Sequence, residues 1–167
     1  MTGEPPPLMS GPGSSEPSRR TVSWSAADGE RAIRILVIDD EPSICQALSM
    51  LFAWHGLDVV TALSAADAQS SLGASSFDVL LIDLRLRDGR GDAVFRAAIE
   101  QQPSLRDRTL FMTGDITAEA ERLISATNCP FLRKPFDITL AVQAIAALLG
   151  VAYQPVDDAA PPKRGSR

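Results

Sequence analysis

The stretch on which the reading of this chain turns is FDVLLIDLRLRDGRG, residues 77–91. Val79, Leu80, Leu81 and Ile82 make an uninterrupted aliphatic run, the pattern of a strand covered on both faces, as in a parallel sheet. The run delivers one carboxylate, Asp83, into a loop rich in charge and glycine. Open α/β sheets keep their chemistry at the carboxyl ends of their strands. A strand that merely ends in a turn-forming aspartate fits the same stretch, so the rest of the chain has to decide.

Working outward, the same grammar recurs. Ile35, Leu36, Val37 and Ile38 form an aliphatic run ending in Asp39, Asp40, Glu41 and Pro42. Pro42 suits the first turn of a helix, and Ile44, Ala47, Leu48, Leu51 and Phe52 then make one apolar stripe. Gly56 stops that helix, with His55 at its C-terminus, where a cation is favoured. Residues 57–62 read as a short strand, and Ser64 caps a modest helix to about Leu72, closed by Gly73. Beyond the loop of residues 89–91, Asp92 can cap a helix with Val94, Phe95, Ala98 and Ile99 on its inner face, ended by Pro103. Thr109, Leu110, Phe111 and Met112 are a fourth run, ending in Thr113, Gly114 and Asp115. Thr117 opens a helix bearing Leu123 and Ile124. Phe131 and Leu132 form a fifth, short strand that ends in Arg133, Lys134, Pro135 and Phe136. Asp137 caps a last helix with Leu140, Val142, Ile145, Leu148 and Leu149, stopped by Gly150. Five alternations of strand and helix predict a parallel sheet with helices on both faces.

Composition bounds the function. The chain has 167 residues, room for one core domain plus tails. Residues 1–32 are rich in Pro, Gly and Ser and are expected to be disordered, with Trp24 an unpacked aromatic or a docking anchor. The domain is expected at 33–150, with a disordered tail at 151–167. A net charge of −5 gives no reason to expect nucleic acid or an anionic membrane as partner, and no apolar run reaches the length of a membrane span. Cys45 and Cys129 have neither metal-ligand spacing nor a disulfide framework and read as buried thiols of a cytoplasmic protein. His55 is the sole histidine, which sets aside His-rich metal sites and a Ser-His-Asp triad.

The polar residues that interrupt the aliphatic runs all fall at strand ends: Asp39 and Asp40, Asp83, Thr113 and Lys134. In a parallel sheet those ends share one edge. Crowded carboxylates repel, and a hard divalent cation such as Mg²⁺ is the usual resolution. An ammonium and a hydroxyl opposite the metal could hold the other oxygens of a phosphoryl group. Such a site is suited to moving a phosphoryl group onto or off Asp83, the protein's part being positioning and charge neutralisation. Each piece alone has a plainer reading: the acidic pair as helix capping, Thr113 as a strand-end hydroxyl, Lys134 as a solvated charge. Their convergence on one edge is what joins them.

ILVIDDEP, DVLLIDLRLRDGRG, LFMTGD and FLRKPF, in this order and spacing, resemble the receiver domain of two-component response regulators over residues 33–150. The resemblance implies a flavodoxin-like, doubly wound five-stranded sheet of order 2-1-3-4-5 with five helices. It implies Asp83 as phosphoacceptor for a sensor histidine kinase or a histidine phosphotransfer protein. Mg²⁺ would be held by Asp40, Asp83 and the backbone carbonyl of Arg85, with Asp39 acting partly through water. Thr113 and Lys134 would hold phosphoryl oxygens, and Lys134–Pro135 is a candidate cis peptide. Thr113 would then move inward and Phe131 rotate behind it, remodelling the face of the fourth helix, fifth strand and fifth helix. Such a domain is no enzyme in the ordinary sense, although it promotes its own phosphorylation and autodephosphorylation; the family also implies bacterial origin.

Two residues depart from the family's pattern. Arg87 stands where Pro is frequent, and Phe131 where many members carry Tyr. With no output domain after residue 150, the expectation is a stand-alone receiver that signals through its surface or by onward phosphotransfer. A homodimer is left open, through the fourth and fifth helices or the first and fifth. The alternatives are a receiver module of a hybrid histidine kinase, a phosphate-independent binding scaffold, and a metal-dependent phosphohydrolase. The last wants a carboxylate at position 85, where this chain has Arg.

Overall fold

The computed structural model describes residues 32–114 and 117–151. The expected tails (apart from Ala32 and Val151), Trp24, and Asp115 of LFMTGD lie outside the described residues.

Five strands form one parallel sheet: β1 (Arg34–Ile38), β2 (Asp58–Ala62), β3 (Val79–Asp83), β4 (Thr109–Thr113) and β5 (Phe131–Arg133). Their spatial order is β2-β1-β3-β4-β5, as the family resemblance implies. The long aliphatic runs are the central strands, and β3 and β4 are buried at every position. Period-two alternation sorts their side chains onto two faces. Leu36, Ile38, Leu80, Ile82 and Phe111 pack with α2 (Ala65–Ala74), α3 (Gly91–Gln101) and α4 (Ala118–Thr127). Ile35, Val37, Val79, Leu81, Leu110 and Met112 pack with α1 (Pro42–Trp54) and α5 (Ile138–Leu149). Phe95 of α3 meets Phe111 of β4 edge to face, ring centroids 5.6 Å apart.

Register makes the strand ends level. Ile38 lies opposite both Ala62 and Ile82, Asp83 opposite Met112, and Thr113 opposite Arg133. Asp39, Asp83, Thr113 and Lys134 therefore emerge together at one edge of the sheet.

Local signals account for the helix starts. Ser64 Oγ accepts from the Asp67 amide at 3.0 Å, Thr117 Oγ1 from the Ala120 amide at 3.3 Å, and an Asp137 carboxylate oxygen from the Thr139 amide at 2.9 Å. Gly150, at φ +67°, ends α5 in the left-handed conformation that glycine tolerates. Several expectations need correction. Asp92 does not cap α3, which begins one residue earlier; it is buried, with its carboxylate between Arg90 (2.9 Å) and Arg96 (2.7 Å). Gly73 does not close α2, which runs on to Ala74, because one glycine costs a packed helix only about 1 kcal/mol. Leu140 is 43% exposed rather than internal. In α1 the inner stripe passes through Cys45, while Ala47 faces out. The loop after Asp83 is a small antiparallel ribbon, Arg85–Leu86 with Gly89–Arg90. At its tip the Asp88 carboxylate accepts from the amides of Ala65 (2.8 Å) and Ala66 (3.2 Å), tying the ribbon to the start of α2.

Cys45 and Cys129 are free and buried, and burial pushes the Cys45 thiol up to about 11. His55 is buried too, and burial holds its imidazole below the ordinary value of 6.5. It is therefore neutral at ordinary pH and does not supply the positive charge that this helix end favours. With the folded pKa depressed, the unfolded chain binds the proton first as pH falls below 6.5, so His55 favours folding fully only above that value. Replacing His55 with Gln should flatten the dependence of Tm on pH between about pH 8 and pH 5, the range in which histidine titrates, relative to the unchanged chain.

Candidate functional site

At the carboxyl edge of the sheet, Asp39 follows β1 with no exposed surface, Asp83 ends β3 at 7% exposure, and Thr113 ends β4 at 2%. Asp40, the next residue along, is partly open to solvent. Carboxylate oxygens of Asp39, Asp40 and Asp83 lie within 4.8 Å of one another. Three anions at that spacing need positive charge, and part of it comes from β5. Lys134 Nζ donates to Asp39 Oδ2 at 2.6 Å and to Asp83 Oδ2 at 2.5 Å, with Glu41 Oε1 at 3.6 Å.

The remaining oxygens are held by the backbone. Asp39 Oδ1 accepts from the Glu41 amide and Asp83 Oδ1 from the Arg85 amide, each at 2.9 Å. The Lys134 amide donates to the Thr113 carbonyl at 2.8 Å, which fixes the lysine beside β4, and the Lys134–Pro135 peptide is cis. Burial alone would push the Lys134 ammonium down; its bonds to Asp39 and Asp83 overcome that and raise it above the ordinary lysine value. Burial pushes Asp83 up, and the bonds from Lys134 and the Arg85 amide offset only part of the effect. The pair therefore couples a firmly charged ammonium to a carboxylate that is costly to keep ionised.

Strand β3 has no slack behind its carboxyl end. The Gly91 amide bonds the Leu84 carbonyl at 3.0 Å, and a Cβ at Gly91 would lie 2.1 Å from the Asp83 carbonyl oxygen. Any side chain there would force α3 away from Asp83, so glycine is obligatory for this approach.

Each residue expected at the site is thus located. Asp39, Asp40, Asp83 and Lys134 converge. Thr113 ends the neighbouring strand, buried, and Arg85 lies in the ribbon with its side chain outward. Phe131 is half exposed, on the outer side of β5. Three participants were not anticipated. Arg87 Nε reaches Asp40 Oδ2 at 3.1 Å; the Asp88-Gly89 dipeptide is a turn signal that could have indicated the ribbon presenting it. Gly91 acts by a contact that no local pattern reveals. Arg90 links Asp92 to Glu119 on the first turn of α4, the latter at 3.2 Å, so the ribbon is joined to α4.

A donor set of three carboxylates suits a hard divalent cation that keeps some of its waters. The whole is a carboxylate-rich pocket at the switch point of a doubly wound sheet, with one lysine set against the acids. Residues 35–146 match the response regulator receiver domain family, and the chain belongs to it. It is 30% identical over 125 residues to the probable transcriptional regulatory protein TcrX of Mycobacterium tuberculosis, covering 74% of this chain and 52% of that one. The chain spans about half the length, or less, of the curated relatives it matches, 52% of TcrX and 28% of the response regulator protein PilR of Pseudomonas aeruginosa. Among solved structures, a CheY-like receiver domain protein from Methanospirillum hungatei superimposes with a TM-score of 0.67 at 21% identity, covering 72% of this chain and 95% of that one. A response regulator protein from Burkholderia pseudomallei, with a phosphorylated aspartic acid, a calcium ion and citrate, gives 0.61 at 24% identity, covering 68% and 66%. Both the family resemblance and the strand order it implies are borne out. Among the described residues no helix is long and apolar enough to cross a membrane.

Replacing Lys134 with Met should cost about 3–5 kcal/mol of stability in metal-free buffer at neutral pH, because two buried carboxylates lose their shared cation. Since the pKa of Asp83 is raised, the loss should shrink as pH falls through it and that carboxylate takes up a proton. Urea denaturation in chelator at several pH values measures both.

Proposed function

We propose that this chain is a phosphorylation switch of a two-component system, acting in the cytoplasm. It takes a phosphoryl group onto Asp83 from the phosphohistidine of a sensor histidine kinase or a histidine phosphotransfer protein. The observation that carries the reading is the position of Lys134, whose one ammonium rests on the acceptor Asp83 and on Asp39. In the transfer, an Asp83 carboxylate oxygen attacks phosphorus. The new P–O bond forms as the P–N bond breaks, and the imidazole of the donor leaves. The Lys134 ammonium passes from the carboxylate to a phosphoryl oxygen, gaining a strong acceptor as charge develops there. The Thr113 hydroxyl takes a second oxygen. The Arg85 amide, already on Asp83 Oδ1, keeps the carboxyl plane fixed during attack.

The acidic donors fit Mg²⁺. Asp40, Asp83 and the Arg85 carbonyl would hold it, with Asp39 partly through water, and when bound it would supply positive charge against the transferring oxygens. Loss of the phosphoryl group by hydrolysis would reset Asp83, so the chain would be a self-reversing acceptor and not an enzyme acting on a separate substrate.

Output would run through α4, β5 and α5. Drawing Thr113 toward the new phosphoryl group frees space beside β4 into which Phe131, now half exposed, can turn. Having no hydroxyl, this ring would act by packing alone. The remodelled surface would then bind a target or pass the phosphoryl group onward. A relative with a phosphorylated aspartic acid supports the acceptor chemistry, and curated relatives described as transcriptional regulators are consistent with a signalling role. Arg85 argues against a phosphohydrolase, since no carboxylate stands there to serve as general acid.

Incubation with acetyl phosphate, followed by intact mass, tests the proposal. The expected result is one added phosphoryl group in the unchanged chain with Mg²⁺, and none without Mg²⁺ or in Asp83→Asn. A folded chain that stays unmodified with Mg²⁺ present, or that is modified equally well in Asp83→Asn, would overturn it.

A further inference from the structure

Arg87 sits at the tip of the ribbon that follows the acceptor, and its guanidinium lies on Asp40, Nε to Oδ2 3.1 Å. The two ends of this contact differ sharply in environment. The Arg87 side chain is 80% exposed and that of Asp40 only 18%. The backbone beneath the arginine is held, since the neighbouring Asp88 carboxylate receives the amides of Ala65 and Ala66. A long arm on a fixed base therefore reaches over open solvent to place its charge on a largely enclosed carboxylate.

The charges of the pocket explain what this does. Of the three clustered carboxylates, Asp39 and Asp83 share the single charge of Lys134. Asp40 is compensated by Arg87. Two cations of the chain thus lie on the three acids, and they differ in kind. Lys134 is enclosed, at 13% side-chain exposure, and little screened by salt. Arg87 is solvated, screened and free to swing away.

We propose that Arg87 is a displaceable counter-ion that competes with the divalent cation for Asp40 and so sets the metal affinity of the site. The inference rests on the reading of Asp39, Asp40 and Asp83 as the Mg²⁺ site. Binding of the cation moves the guanidinium off Asp40, and by linkage the arginine weakens the cation as much as the cation weakens the arginine. Lys134 does not play this part, because it bonds Asp39 and Asp83 rather than Asp40 and is itself enclosed. Removing the Arg87 charge should tighten Mg²⁺ by about two- to fivefold, the range spanned by an exposed ion pair. The gain should fade as salt screens the pair in the unchanged chain.

The test is a Mg²⁺ titration followed through the backbone amide NMR shifts of Arg85 and Gly91, at low and high salt. It compares the unchanged chain with Arg87→Ala, Arg87→Gln, Arg87→Lys and Asp83→Asn. Tighter binding in Arg87→Ala and Arg87→Gln, near-original binding in Arg87→Lys, and a gap that narrows with salt are the expected results. Equal or weaker binding in the two uncharged variants, or a gain that salt does not alter, overturns the role of Arg87 while leaving the metal site standing. Loss of saturable shifts in Asp83→Asn alone ties the binding to this pocket. No saturable shift in any chain overturns the metal site and the role of Arg87 together.

Discussion

One ammonium shared by two buried carboxylates constrains the whole carboxyl edge of this sheet. Asp39, Asp83 and Lys134 come from β1, β3 and the end of β5, and their contacts of 2.5 and 2.6 Å require those three strand ends to be level. A slip of one residue in any strand would turn its carboxylate or ammonium to the opposite face. The apolar layers on the two sides of the sheet forbid such a slip, since Ile38, Ile82 and Phe111 pack toward one set of helices and Val37, Leu81 and Met112 toward the other. The cores hold the register, and the register assembles the charges. Burying two acids and a lysine gives little net stability, so the arrangement is better understood as a poised electrostatic site than as a fastener.

The segment after Asp83 adds a second constraint. Gly91 brings α3 against the Asp83 carbonyl, and Asp88 ties the ribbon to α2. Arg90 then bridges Asp92 of α3 to Glu119 of α4. The loop after Asp83 is thus in contact with the first turn of α4 through Arg90 and Glu119. Those ion pairs join the loop to α4, part of the face proposed for output.

Most of this architecture could be read from the chain because its central strands are covered on both faces and so appear as continuous aliphatic runs. The residues that break those runs stood out for the same reason, and parallel topology brought Asp39, Asp40, Asp83 and Lys134 together. What escaped the reading was set by contacts distant in sequence. The importance of Gly91 depends on the Asp83 carbonyl and not on its neighbours in the chain. Asp92 looked like a helix cap, and only the approach of Arg90 and Arg96 makes it a buried ion-pair centre. His55 carries the polar label of a helix end, yet packing encloses it. The exposure of Leu140 was hidden because a helix with leucine and alanine on several sides shows no clear inner face. Arg87 drew notice as a departure from the family's pattern, but its target, Asp40, lies across the fold.

Under the proposed function Asp83, and neither of its two carboxylate neighbours, receives the phosphoryl group. The most direct measurement is borohydride reduction of the chain after exposure to acetyl phosphate and Mg²⁺, followed by peptide mass mapping. An aspartyl phosphate is reduced to homoserine, so the modified position is recorded permanently. The expected result is homoserine at position 83 with Asp39 and Asp40 unaltered. Homoserine at 39 or 40, or a phosphate that survives reduction on a hydroxyl side chain, would contradict it.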